Sequence, residues 1–221
     1  MFFADPDGLE LEVVHEPEQR GRVEWRAGAA GAEGRTMISA REALQRLREG
    51  NRRFVSDVRS LDSLTSPMRR SELVTGQAPF AIILGCSDSR VPAEIVFDQG
   101  LGDLFVIRVA GNIVAPSQIG SVEFAADQFG TRLVVVLGHS RCGAILATLE
   151  ELRRNREHPS RNLRSIVDRV RPSVESLLAT ELRNDFDALV QASVRANVRA
   201  SVNQLRHGSE VLEQLGQRDD L

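Results

Sequence analysis

The chain has 221 residues and 42% apolar content, enough for one large domain or a domain with an appendage around a sizeable core. Its net charge of −3, with all 28 basic residues Arg, leaves no strong basic field and argues against a nucleic-acid partner. No apolar run approaches the ~18 residues of a membrane span, and "MFFADPDGLELEVV" has acids where a signal peptide has basic residues, so a cytoplasmic location without a membrane partner is expected.

In chain order, "FFADPDGLELEVVHEP" predicts a turn at "DPDG" and then an alternating strand. "RAGAAGAEGR" has a linker's composition, and residues 1–36 read as an N-terminal extension and linker ahead of a domain at 37–221. "SAREALQRLREGNRRFVSD" opens on a capping box, Ser39 with Glu42, and continues at helical spacing to a stop or bend at Gly50. Three apolar runs then read as buried strands: 80–86, 103–112 and 132–138. Between the last two, 117–130 reads as a helix from an N-cap at Ser117 to a stop at Gly130, and another helix runs from about Cys142 to Arg153. Residues 160–216 read as helices broken near Pro172, ending in a long amphipathic stretch. Buried strands alternating with helices predict an α/β fold, a mostly parallel sheet covered on both faces.

Chemistry concentrates at the carboxyl ends of such strands. Cys86 ends the first run and His139 the third, and Cys142 starts the next helix, where the dipole favours thiolate. These are the chain's only two cysteines, and in a reducing compartment they point to a metal or catalytic role rather than a disulfide. Two thiolates and an imidazole suit tetrahedral Zn²⁺ with one position left open, as in catalytic sites. Asp88 and Arg90 follow Cys86 at alternate positions. Asp88 either binds the metal or accepts a hydrogen bond from its water, with Arg90 holding it ionised. Taken singly, Cys86 reads as a small core residue, His139 as a turn histidine and Asp88–Arg90 as a loop salt bridge. The joint pattern is what points to zinc.

At these residues the sequence resembles the β-class carbonic anhydrases, from about Met37 to Gln217, through "CSDSRVP" at 86–92 and "GHSRCGA" at 138–144. "GDLFVIRVAGN" and "GSVEFAADQFG" lie between them at family-like spacing. The resemblance implies one zinc per chain on Cys86, His139 and Cys142. It implies that Asp88 and Arg90 form a dyad that frees the fourth zinc position for water or lets Asp88 close it. It implies that Gln77, in "GQAP", donates to bicarbonate or CO₂, and that Phe105 and Phe124 line the pocket, where ordinary core packing is the other reading. The implied activity is reversible hydration of CO₂ to bicarbonate and a proton. The implied assembly is a homodimer or tetramer with pocket walls contributed across the interface. COS or CS₂ hydrolysis on the same scaffold and a non-catalytic zinc-binding domain are the alternatives.

Three departures stand out. A regulatory bicarbonate site of some bacterial members uses a Trp three residues before the first Cys and a Tyr; here that position is Ile83 and the chain has no Tyr, so Arg108 reads as a structural ion-pair residue. Family members usually continue with a further strand where this chain stops at Leu221, so a missing C-terminal edge strand and exposed hydrogen-bonding groups are expected. Residues 1–16 resemble the closing strand of a glyoxalase-like module, with Glu12 at its metal-ligating position; an ordinary hairpin-like leader is the other reading.

Overall fold

The computed structural model describes residues 3–4, 9–15, 38–58, 66–154 and 160–216. Five strands form one sheet in the order β1-β2-β5-β3-β4: β1 (Phe3–Ala4), β2 (Leu9–His15), β3 (Ala81–Gly85), β4 (Leu104–Arg108) and β5 (Leu133–His139). β3 lies parallel to both β4 and β5, and every residue of β3 and β5 is buried. Both faces of these strands are covered, which is why their sequences are apolar without alternation.

Among the described residues the helices are α1 (Ala40–Val55), α2 (Pro67–Glu72), α3 (Ala93–Val96), α4 (Pro116–Phe129), α5 (Gly143–Arg154), α6 (Arg161–Val174), α7 (Phe186–His207) and α8 (Glu210–Gly216). The two-residue period of a strand sends Ile83, Val135 and Leu137 to one face, against α1 and α3. It sends Ile82, Leu84 and Val136 to the other, against α4, α7 and α8. Beyond the strand ends a third apolar cluster joins α5, α6 and α7 around Cys86, Ile113 and Cys142. The predicted chemistry therefore sits in packed core, at the sheet's carboxyl edge.

Several expectations need correction. Helix α1 starts with the predicted cap, Ser39 accepting from the Glu42 N–H at 3.2 Å, but it runs straight through Gly50. Gly50 is a contact point: a Cβ there would overlap the Phe97 carbonyl oxygen and crowd Gln99. Helix α4 begins one residue before Ser117, with Pro116 in its first turn and Ala115 as N-cap without a side-chain bond. Its end at Gly130, left-handed at φ 61, is as expected. Pro172 lies inside α6, which ends two residues later at Val174. The second predicted strand is shorter than 103–112, because Ala110–Asn112 forms a 3₁₀ turn with Gly111 at φ 74 and Asn112 at φ 43.

The N-terminal strand changes the picture of the sheet's edge. Leu9–His15 is indeed a strand, and it pairs antiparallel along the whole of β5, from Leu9 opposite His139 to His15 opposite Leu133. No strand follows α8 among the described residues, yet the outer edge of β5 is not exposed, because β2 satisfies its backbone groups. The segment compared with a glyoxalase-like strand is thus part of this sheet. The "DPDG" turn, the linker stretch and the side chain of Glu12 lie outside the described residues.

Two outcomes follow for stability. Gly50→Ala must push α1 away from the Phe97 carbonyl, at a cost of about 2 kcal/mol, read as a lowered midpoint in urea. Deleting residues 1–15 uncovers the β5 edge; the melting temperature falls by about 5 °C or more and the protein self-associates, both measurable by scanning calorimetry and light scattering. An unchanged melting temperature in a monodisperse sample contradicts the second.

Candidate metal centre

Adjacent parallel strands end together, so β3 and β5 deliver Cys86 and His139 to the same edge. After His139 the chain reverses through Arg141, left-handed at φ 52, and returns as Cys142 at the start of α5. The ligand atoms of Cys86, His139 and Cys142 all lie within 4.8 Å of one another. The three residues are only 5%, 2% and 1% exposed.

The two sulfurs are 3.9 Å apart and unbonded. A disulfide needs about 2.05 Å. Two sulfurs on one tetrahedral zinc, each at about 2.3 Å, stand about 3.8 Å apart. His139 Nδ1 lies 3.0 Å from the Ser140 carbonyl oxygen, a bond that puts the ring proton on Nδ1 and leaves a lone pair on Nε2. Nε2 is buried with no hydrogen-bond partner among the described residues. A buried, unpartnered imidazole nitrogen beside two thiols is what a thiophilic cation would satisfy, so the residues present fit zinc.

The thiols' acidities express the same strain. The Cys86 thiol is held well below the ordinary range, chiefly by the hydrogen bond from Cys142, against burial and with help from His139 and the Gly111 N–H. The Cys142 thiol is pushed up, by that same hydrogen bond to Cys86, by burial and by the charge on Cys86. The two shifts oppose each other because each thiol's hydrogen bond and charge act on the other. A cation bound between them would favour the thiolate form of both.

Asp88 sits at the rim. Arg90 grips its carboxylate with Nε on Oδ1 at 2.8 Å and Nη2 on Oδ2 at 2.7 Å, while the Arg90 N–H adds a bond to Oδ1 at 3.0 Å. These bonds, Arg90's side chain first, hold the Asp88 carboxyl far below the usual carboxylate range. Oδ2 is also 3.8 Å from His139 Nε2, so the carboxylate borders the trio while facing its arginine. Arg108 donates to the backbone carbonyls of Cys86, at 3.0 Å, and of Asp88. Its structural role therefore falls on the ligand loop's backbone rather than on the carboxylate partner expected of an ion pair.

The remaining candidates stand apart within one chain. Gln77 is exposed ahead of β3, at the end opposite Cys86. The five steps from Ala81 to Cys86 alone span about 16 Å at a strand's rise. Phe105 pairs with Ile82, four residues short of Cys86, which is about 13 Å along the sheet. It forms an aromatic trio with Phe124 and Phe129, centroids 5.8 to 6.3 Å apart, in which Phe124 is 52% exposed. Sequence reasoning missed Phe129. It also missed the Gly111 N–H, which donates to the Cys86 sulfur at 3.3 Å; the Gly-Asn pair after β4 was the available signal.

Residues 81–221 match the family model described as carbonic anhydrase. A carbonic anhydrase of Mycolicibacterium smegmatis is 47% identical over 132 residues, covering 60% of this chain and 63% of that protein. Carbonic anhydrase 2 of Mycobacterium tuberculosis is 46% identical over the same length and with the same coverage. The chain thus spans just under two thirds of the length of these curated relatives. Among solved structures, the β-carbonic anhydrase CafA of Aspergillus fumigatus aligns with a TM-score of 0.61 at 25% identity, covering 82% of this chain and 81% of that one. One of two tetrameric β-carbonic anhydrases of Sordaria macrospora shares the fold, with a TM-score of 0.56 at 24% identity over 67% of this chain and 75% of that one.

Metal analysis checks the site. The purified protein should carry one zinc per chain, and Cys86→Ser, Cys142→Ser and His139→Ala should each lose it. Asp88→Asn should keep it, because Asp88 is already held by Arg90.

Proposed function

The chain belongs to the β-class carbonic anhydrase family, and from that premise we propose that it is a zinc enzyme catalysing the reversible hydration of CO₂ to bicarbonate and a proton. One observation carries the reading: a buried Cys86–His139–Cys142 trio with an unpartnered imidazole nitrogen, bordered by an arginine-held carboxylate 3.8 Å away.

Zinc bound by the trio supplies Lewis acidity that makes water nucleophilic near neutral pH. Asp88 then acts as a hydrogen-bond acceptor at the rim and orients the attacking water. Arg90 keeps that carboxylate ionised and turned to a fixed direction, with two side-chain bonds and one backbone bond. A carboxylate held this strongly is a poor proton store near neutral pH, so the released proton passes on to buffer. The apolar cluster of Ile113, Ile145 and Leu149 beside the trio limits water to what the reaction uses.

Gln77, Phe105 and Phe124 enter through assembly. Gln77 is at the far end of β3 and Phe124 is half exposed, so a second copy of the chain is what would bring such groups to a trio. We therefore place them in a homodimer or tetramer, as donor (Gln77) and apolar walls (Phe105 and Phe124) to a neighbouring site. Two reduced, buried thiols suit the cytoplasm. No helix of the described residues is long and apolar enough to cross a membrane. Residues 1–36 act as an extension joined to the catalytic domain through β2.

Stopped-flow CO₂ hydration on zinc-assayed protein tests the proposal. Cys86→Ser should be inactive, and Asp88→Asn should retain zinc while losing about 100-fold in kcat. Zinc-loaded protein no faster than Cys86→Ser would mark a non-catalytic zinc domain, and faster turnover of COS or CS₂ than of CO₂ would reassign the substrate.

A further inference from the structure

We propose that Asn197, on a buried polar stripe of α7, is a positioning residue for the Cys86 sulfur, acting through the turn at Gly111. The inference rests on the metal reading of the trio.

Helix α7 is amphipathic, yet its inward face is not purely apolar. Ser193, Asn197 and Ser201 recur every four residues and are 0%, 2% and 2% exposed. A buried amide or hydroxyl costs stability unless it is bonded. Asn197 Nδ2 donates to the Gly111 carbonyl at 2.7 Å, and Ser201 Oγ donates to the Asn112 carbonyl at 2.9 Å. Their acceptors are the two consecutive left-handed residues of the 110–112 turn, at φ 74 and φ 43. For Asn112 that conformation costs about 1 kcal/mol or more and persists only where its surroundings enforce it. The bonds from α7 take both carbonyls and so hold the turn in this shape.

The held turn delivers one group to the metal centre. The Gly111 N–H donates to Cys86 Sγ at 3.3 Å. A Cβ on Gly111 would stand 2.9 Å from the Ala144 Cβ, so the turn is also pressed against the first turn of α5, two residues from Cys142. An N–H bond to a ligating sulfur fixes its direction and draws electron density from it. The sulfur then donates less to the cation, and the cation stays a stronger Lewis acid. Asn197 lies 86 residues from Gly111 in sequence and touches none of the three ligands through the bonds described, so its effect runs through the turn.

Cobalt(II) in place of zinc gives a readout independent of activity, the thiolate-to-cobalt charge-transfer band. Asn197→Leu and Asn197→Ala both remove the donor. In both, the band should shift to lower energy as the sulfur becomes the stronger donor, while metal affinity, by competition with a chelator, should fall about 10- to 100-fold because the sulfur's direction is no longer fixed. Ser201→Ala should move both in the same direction by less. Ser193→Ala, on the same face but without a bond to the turn, should leave both at the wild-type values. A folded Asn197 variant with the wild-type band and affinity overturns the proposal. So does Ser193→Ala shifting as much as Asn197→Leu. If the Asn197 variants do not fold, an unchanged Ser201→Ala overturns it. Wild-type protein that takes up neither zinc nor cobalt overturns the metal reading and this inference together, whereas normal wild-type uptake with unshifted variants overturns this inference alone.

Discussion

Two buried thiols 3.9 Å apart, with a buried and unpartnered imidazole nitrogen on the histidine grouped with them, form an arrangement that a positive charge would satisfy. Burial pushes both thiols toward the neutral form, and Cys142 is held up further by its bond to Cys86 and the charge there. With a cation bound, both thiolates and the lone pair of Nε2 are satisfied at once. Much of the surrounding structure answers to this demand. The helix start at Cys142, the Gly111 N–H and the arginine that anchors the carbonyls of Cys86 and Asp88 all stabilise negative charge at one point or hold its bearers still.

The sheet makes that convergence possible. Parallel neighbours end at the same level, so β3 and β5 bring their last residues together without any long-range search for a contact. Apolar burial on both faces fixes the register of these strands, because a slip by one residue would exchange the two faces of the core. The rigid edge then allows short, strained loops. Arg141 and Asn112 both sit in left-handed conformations beside the site, and each carbonyl accepts a bond from a residue far away in sequence, Arg90 for Arg141 and Ser201 for Asn112. Strain at these points is where the fold gives up local comfort for the geometry of the trio.

Much of this was legible in advance. Three near-continuous apolar runs meant buried parallel strands, and cysteine and histidine at two strand ends with a second cysteine at a helix start meant a metal, since local residue types and chain order alone determine strand ends. The capping box at Ser39 and the stop at Gly130 were likewise local chemistry. Gly50 misled for a physical reason. A glycine that stops a helix and a glycine that admits a close neighbour look alike in sequence, and only the Phe97 carbonyl pressed against it tells them apart. Arg108 misled in the same way, because backbone carbonyls as partners leave no complementary charge in the sequence to read.

The sequence by itself therefore determined the α/β class, the parallel strands and the identity of the three ligand residues, because each follows from apolar periodicity and from donor chemistry at strand ends. Tertiary structure alone decided the rest. It paired β2 with the open edge of β5, turned Asp88 to its arginine, and set Asn197 of α7 against the turn that bonds to Cys86. The physical reason is common to all three. Edge pairing, the orientation of a polar side chain and a bond spanning 86 residues depend on where separate elements pack, and no local pattern of residues encodes that.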